Sequence, residues 1–297
     1  MITVMGATGR TGSKIAANLL RAGEPVRALG RSAGRLDGLA AAGAEPVVGD
    51  ANDPRFLTAT FRGADAVYAM LPVDLTWSDY DAEMDRLGEA VAAAVRDSGV
   101  PHVVALSAVG AERAAGTGFL TSLYRQEQRL RALSRTNVLA LRAGMFFESF
   151  VPTLDVMIDQ GVHADTVAPD APIPMVATRD VADVAATALR ARDWTGFVVR
   201  EVLGERDLTF REVTAILGER IGRPDLPYVQ LPDAEMLQAL TDAGLSADVA
   251  AQNLEFNRAL SARTIRSREG RRPENTTPTR FEDFADELVG AYATRSA

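Results

Sequence analysis

Between Ile2 and Leu141 the apolar positions change spacing in a regular alternation, short contiguous runs giving way to helical spacing and back. The contiguous runs predict strands at 2–5, 25–29, 45–48, 66–71, 101–106 and 137–141. Helical spacing, as in Ile15, Leu19 and Leu20, predicts helices at 14–22, 36–42, 54–61, 79–98 and 120–133. Strands apolar at nearly every position need cover on both faces, and strands alternating with helices pair in parallel through crossovers. The pattern therefore predicts an α/β fold built on a doubly wound parallel sheet. After Arg142 the rhythm breaks. Residues 146–174 are rich in Phe, Pro, Asp and Met without a clean period, and helical spacing returns at 181–191, 210–221, 247–264 and 281–292, the last after the polar stretch REGRRPENTTP. The expected organisation is a sheet domain over 1–144, to which about 174–203 return, and a smaller, mostly helical lobe over 145–297.

The first strand runs directly into Gly6-Ala7-Thr8-Gly9-Arg10-Thr11-Gly12, and a helix follows at once. Glycines spaced G-x-x-G-x-x-G in that setting permit a tight turn, close approach of backbone amides to a pyrophosphate, and close helix–strand packing. A dinucleotide is the expected ligand. A chain selective for NAD usually places a carboxylate just past the second strand to bind the ribose 2′-hydroxyl. Here the segment reads VRALGRSAGRL, with Arg31 at that position, Arg35 a turn later and no carboxylate before Asp37. Guanidinium groups match a 2′-phosphate, so NADP(H) is the expected cofactor.

Composition narrows the remaining possibilities. The net charge of −8 argues against a nucleic-acid partner, which needs a basic face. The chain has no cysteine, which removes disulfides, thiolate nucleophiles and cysteine metal sites. No apolar run approaches the roughly 18 residues of a membrane span, and the expected location is the cytoplasm. The two histidines, His102 and His163, lie 61 positions apart without a carboxylate motif, so no metal site is expected.

Several further stretches carry a resemblance: PVVGD at 46–50, GADAVYAMLP at 63–72, VPHVVALSAVG at 100–110, LRAGMFFESF at 141–150, PMVATRDVADVAATAL at 174–189 and LTFREVTAILGERIGRP at 208–224. With GATGRTG they resemble the atypical short-chain dehydrogenase/reductases, specifically the NmrA-like and NADPH quinone reductase-like branch, in order along nearly the whole chain. The resemblance implies a Rossmann domain with Gly6, Thr8, Gly9, Arg10, Thr11 and Gly12 around the pyrophosphate. It implies Arg31 and Arg35 at the 2′-phosphate and Asp50 near the adenine. Leu71, Pro72, Ser107, Ala143, Gly144 and Phe146 would lie along the ribose and nicotinamide.

The wider superfamily uses a tyrosine that protonates a carbonyl oxygen and a lysine four positions later that lowers its pKa. That pair is impossible here, because Lys14 is the only lysine and sits in the first helix. With Glu127 aligned to a glutamate of many relatives, the two positions fall at Phe119 and Leu123, both apolar. Tyr124 has Gln128 at the same spacing, but an amide carries no charge to stabilise a phenolate, leaving Tyr124 a weak candidate acid. Ser107 matches the family's serine and could hydrogen-bond a carbonyl. Met145, Phe147 and His163 complete the expected substrate wall with Phe119 and Leu123, His163 as a candidate general acid. Asp180 and Asp183 read as charges at a helix N-terminus.

The resulting expectation is an NADPH-dependent reductase acting on a small aromatic substrate, a quinone or polycyclic aromatic ketone. Such acceptors need little protein acid, since the developing oxyanion is delocalised or bonded to a neighbouring phenol of the substrate. The alternative is a regulatory protein of the NmrA type that senses NADP and binds a protein partner.

Overall fold

The computed structural model describes residues 1–296. Its first half runs β1 (Ile2–Val4), α1 (Gly12–Arg21), β2 (Val26–Gly30), α2 (Asp37–Ala41), β3 (Glu45–Val48), α3 (Pro54–Phe61), β4 (Ala66–Ala69), α4 (Tyr80–Ser98), β5 (His102–Ala108), α5 (Leu120–Arg131) and β6 (Asn137–Ala143). The second half follows with β7 (Met145–Phe146), a 3₁₀ helix (Phe147–Thr153), α6 (Leu154–Gln160), β8 (His163–Asp165), β9 (Ile173–Val176), α7 (Thr178–Ala191), β10 (Phe197–Val202), β11 (Asp207–Leu208), α8 (Phe210–Arg220), β12 (Tyr228–Gln230), α9 (Asp233–Asp242), α10 (Ala247–Ser261) and α11 (Phe281–Ser296).

Among the described residues seven strands form one parallel sheet in the order β3-β2-β1-β4-β5-β6-β10. The strand order reverses beside β1, which opens a crevice at the carboxyl ends of β1 and β4. The apolar face of α1, Ile15, Ala16 and Leu19, packs with Val181, Ala185 and Leu189 of α7 on one side of the sheet. Leu57 and Phe61 of α3 and Leu87, Val91 and Val95 of α4 fill the other. This two-sided burial is what the nearly continuous apolar strands require.

The lobe is mainly helical, as expected, with α8, α10 and α11 its longest elements. It also contains two small sheets, β11-β9-β7 and β12-β8, and the short helices α6 and α9. Strands of two to four residues are too short to register as a period in the sequence. Its core is aromatic, built from Phe147, Phe150, Phe210, Phe281 and Phe284. The lobe is anchored over the sheet through the start of α10. Ser246 donates its amide to the Leu75 carbonyl at 3.0 Å, and Asp248 accepts the Tyr80 amide at 2.7 Å. No helix among the described residues is long and apolar enough to cross a membrane.

Candidate active site

The turn after β1 is shaped by its glycines. Gly6 holds a positive φ of 60°, and a Cβ on Gly12 would stand 2.2 Å from the Gly6 carbonyl oxygen, so the helix approaches the strand as only glycine permits. No acceptor among the described residues takes the amides of Arg10, Thr11 and Gly12, which head α1. Orphaned amides at a helix N-terminus are donors for an anion. They fit a pyrophosphate, and this is the observation by which the loop suits a dinucleotide. Thr11 Oγ1 pairs with the Tyr68 hydroxyl at 3.0 Å, and Arg10 donates to the Glu148 carbonyl at 2.9 Å.

From this turn a cleft of about 270 Å³ runs along the edge of the sheet, lined by Gly6, Thr8, Gly9, Gly30, Arg31, Arg35, Asp50 and Pro72 among others. Arg35 donates to the Thr8 carbonyl at 3.1 Å, while Arg31 is exposed at the end of β2. Asp50 lines the cleft as an exposed residue and accepts from the Asn52 amide at 2.9 Å, which orients its carboxylate.

A second cavity of about 450 Å³ adjoins the cleft, Val73 belonging to the walls of both. Leu71, Ser107, Ala143, Gly144, Met145 and Phe146 form its sheet side, Phe119 and Leu123 its flank, and Phe256 and Ile265 of the lobe its cover. Among the described residues no Asp, Glu, Lys, Arg or His lines it. Its polar side chains are Ser107, Tyr80 and Ser149. Ser107 Oγ donates to Glu127 Oε1 at 2.6 Å, and Glu127 is held in turn by Arg142, whose Nε and Nη2 donate at 2.9 and 2.7 Å. Glu127 is buried and Arg142 nearly so, and the paired carboxylate raises the guanidinium pKa against the opposing effect of burial. Tyr80 meets the Ser122 hydroxyl at 3.4 Å, and burial pushes its phenol up to about 12.

Three residues expected at the substrate wall lie elsewhere. Phe147 is buried in the lobe core, edge-on to Phe281 at 5.0 Å. His163 is 1% exposed and stacks on Phe210, its Nδ1 at 2.6 Å from Thr214 Oγ1. Because Thr214 gives its own proton to the Phe210 carbonyl, Nδ1 carries the hydrogen, and Nε2 stays bare and buried without a partner. Burial lowers this histidine's pKa to about 4, so it is a neutral core residue and not a general acid facing substrate. Tyr124 is half-buried on α5 but outside the cavity lining, one residue beyond Leu123 and on a different face of the helix. His102 contacts Asn137 at 3.3 Å and the Trp194 ring, at the end of β5 remote from Ser107.

The acidic pair also does something other than head its own helix. Asp180 accepts both the Thr279 amide and hydroxyl, and Asp183 accepts from Asn18. The group that heads α7 is Glu148, which accepts the Thr178 amide at 3.1 and 3.2 Å and stands 3.5 Å from Lys14 Nζ. Sequence reasoning missed Tyr80, Phe256 and Ile265 at the cavity, which no motif marks because long-range packing brings them in, and Arg142 behind it, which lies in the stretch LRAGMFFESF but was given no role.

The model of the NmrA-like family matches residues 1–285. A (4-alkanoyl-5-oxo-2,5-dihydrofuran-3-yl)methyl phosphate reductase of Streptomyces griseus is 34% identical over 224 residues, covering 75% of each chain. An NAD(P)H azoreductase of Xenophilus azovorans is 26% identical over 250 residues, covering 84% of each. Citrobacter sp. triphenylmethane reductase complexed with NADP(H) has a TM-score of 0.80 at 21% identity, covering 97% of this chain and 100% of that one. The NADPH-dependent quinone oxidoreductase of Escherichia coli complexed with NADPH has a TM-score of 0.75 at 21% identity, covering 97% and 99%. These two structures share the fold.

Proposed function

The chain belongs to the NmrA-like family, and from that premise we propose that it is an NADPH-dependent reductase of quinones or polycyclic aromatic ketones. The observation that carries the reading is the junction of a phosphate-binding cleft with an apolar cavity free of charged side chains. The amides of Arg10, Thr11 and Gly12 hold the pyrophosphate, and Arg31 with Arg35 the 2′-phosphate. Bound there, NADPH supplies a hydride. The chain's own contribution at the cavity is to sandwich a flat apolar molecule between Leu71, Met145, Phe146 and Phe119 and to exclude water. No side chain of the lining is a strong acid, and Tyr80, with its raised pKa, holds its proton too firmly to give it up readily. The proton therefore comes from a phenol of the substrate or, once the product leaves the cavity, from solvent.

The same cavity argues against a phosphate ester as substrate, although the Streptomyces relative is named for one. It offers no lysine or arginine to receive the phosphate.

The test is to incubate the protein with NADPH and a panel of quinones and polycyclic aromatic ketones, following the absorbance of the reduced nicotinamide. Turnover of members of the panel is the expected result. Tight NADPH binding with no turnover of any acceptor would replace this reading with a sensor of the cofactor.

A further inference from the structure

Ser107 is the polar group on the sheet side of the cavity, and its hydrogen-bonding polarity is set from behind. A serine hydroxyl has one proton to give. That proton goes to Glu127 Oε1 at 2.6 Å, and the carboxylate has no proton to return because Arg142 holds it on both oxygens. Burial of the pair keeps water from competing, and Arg142 is further tied to Glu112 at 3.3 Å. The Oγ therefore shows the cavity lone pairs alone, made richer by the anion behind it.

A carbonyl oxygen placed against such a group meets two acceptors with no hydrogen between them. The expectation that Ser107 polarises a substrate carbonyl is accordingly reversed. The other hydroxyls do not replace it: Tyr80 is directed at Ser122, whose own proton goes to the Phe119 carbonyl, and Ser149 is exposed at the rim.

We propose that Ser107, positioned by Glu127 and Arg142, is a hydrogen-bond acceptor that selects substrates bearing an O–H or N–H donor, favouring a hydroxylated or aminated quinone or ketone over the bare ring system. The proposal rests on the cavity being the substrate site, as the proposed function has it. It adds that the recognised group is a substituent on the ring, distinct from the carbonyl being reduced. A donor group buried against the acceptor is satisfied, whereas its methyl ether leaves the Oγ lone pairs unpaired in an apolar wall.

The test uses matched naphthoquinones carrying a hydroxymethyl or a methoxymethyl group at each free ring carbon in turn. Their dissociation constants are measured by equilibrium dialysis against the full chain with NADP⁺ present, and kcat/KM with NADPH. At one or more positions the alcohol should bind roughly two- to tenfold tighter than its ether, the size of one hydrogen bond. The preference should persist in Ser107→Thr, which keeps the acceptor, and collapse to about one in Ser107→Ala. It is overturned if no position shows a preference, if the preference survives in Ser107→Ala, or if that substitution weakens NADP⁺ while leaving the ratio intact. Should none of the quinones be turned over, the reductase reading falls, and the dialysis ratios still decide the role of Ser107.

Discussion

Arg31 stands one residue beyond β2, exposed and lining the cleft, where its charge helps lower the pKa of Asp74 without a hydrogen bond that would have to be broken among the described residues. Arg31→Ala should weaken NADPH by roughly 1.5–3 kcal/mol and NADH far less, because only NADPH loses a charge-assisted pair. Fluorescence titration with both cofactors checks this, and an equal loss for both would show that Arg31 does not read the 2′-phosphate. His163 makes a prediction of a different kind. Its pKa is about 4 in the fold against 6.5 for the free side chain, so between those values the unfolded chain binds the extra proton. Stability is therefore lost as pH falls from 6.5 towards 4. Asp165, raised by burial to about 6, acts in the opposite sense, since the folded state takes up its proton first and gains stability on acidification between 6 and 3.8. In His163→Phe the Asp165 effect is opposed by one histidine fewer, His102 remaining with a pKa that burial also lowers. The melting temperature of that variant should fall less between pH 6.5 and 4.5 than that of the parent, or rise.

At the scale of elements, the approach of α1 to β1 separates two glycines that look equivalent in the motif. A Cβ at Gly12 would meet backbone, at 2.2 Å from the Gly6 oxygen and 2.7 Å from its carbon, whereas one at Gly9 would stand 3.2 Å from the same oxygen. Backbone cannot step aside as a side chain can. Gly12→Ala should thus cost about 1–3 kcal/mol in a urea melt and also impair NADPH binding, because the amides of the loop move with the helix. Gly9→Asp should abolish NADPH binding at a smaller cost in stability, its carboxylate repelling the pyrophosphate. Comparable destabilisation by both would contradict this division of roles.

Across the whole molecule, Glu148 joins three parts that are distant in sequence. Its carboxylate heads α7 through Thr178 and faces Lys14 of α1, its carbonyl receives Arg10 of the glycine turn, and its neighbours Met145, Phe146 and Ser149 form the cavity wall. The only lysine of the chain is thus a strap between the sheet domain and the segment leading into the lobe. Glu148→Ala removes an N-terminal acceptor and leaves Lys14 and Thr178 without it, at about 1–2 kcal/mol. For a chain of this size the melting temperature should drop by roughly 2–6 °C in calorimetry, with Glu148→Gln in between. An unchanged melt would mean that the strap carries no load.

What the sequence determined by itself was whatever depends on neighbours along the chain. The alternation of runs and helical spacing specified the parallel sheet, because burial on both faces leaves its mark on every strand residue. The glycine turn, and Arg31 just past β2, were legible because a strand–turn–helix junction is built from one contiguous segment. The apolar character of the cavity was partly legible too, in Phe119, Leu123, Met145 and Phe146. The tertiary structure alone decided which of the remaining candidates face that cavity. Phe147 and His163 turned into the lobe core because short strands and a 3₁₀ helix, invisible as periods, set their direction. The polarity of Ser107 depends on Glu127, 20 residues on, and on Arg142, 15 further, brought together by the pairing of β5 with β6 and the packing of α5 behind them. A hydroxyl's role follows from where its single proton points, and that is settled by partners that no local pattern of residues can name.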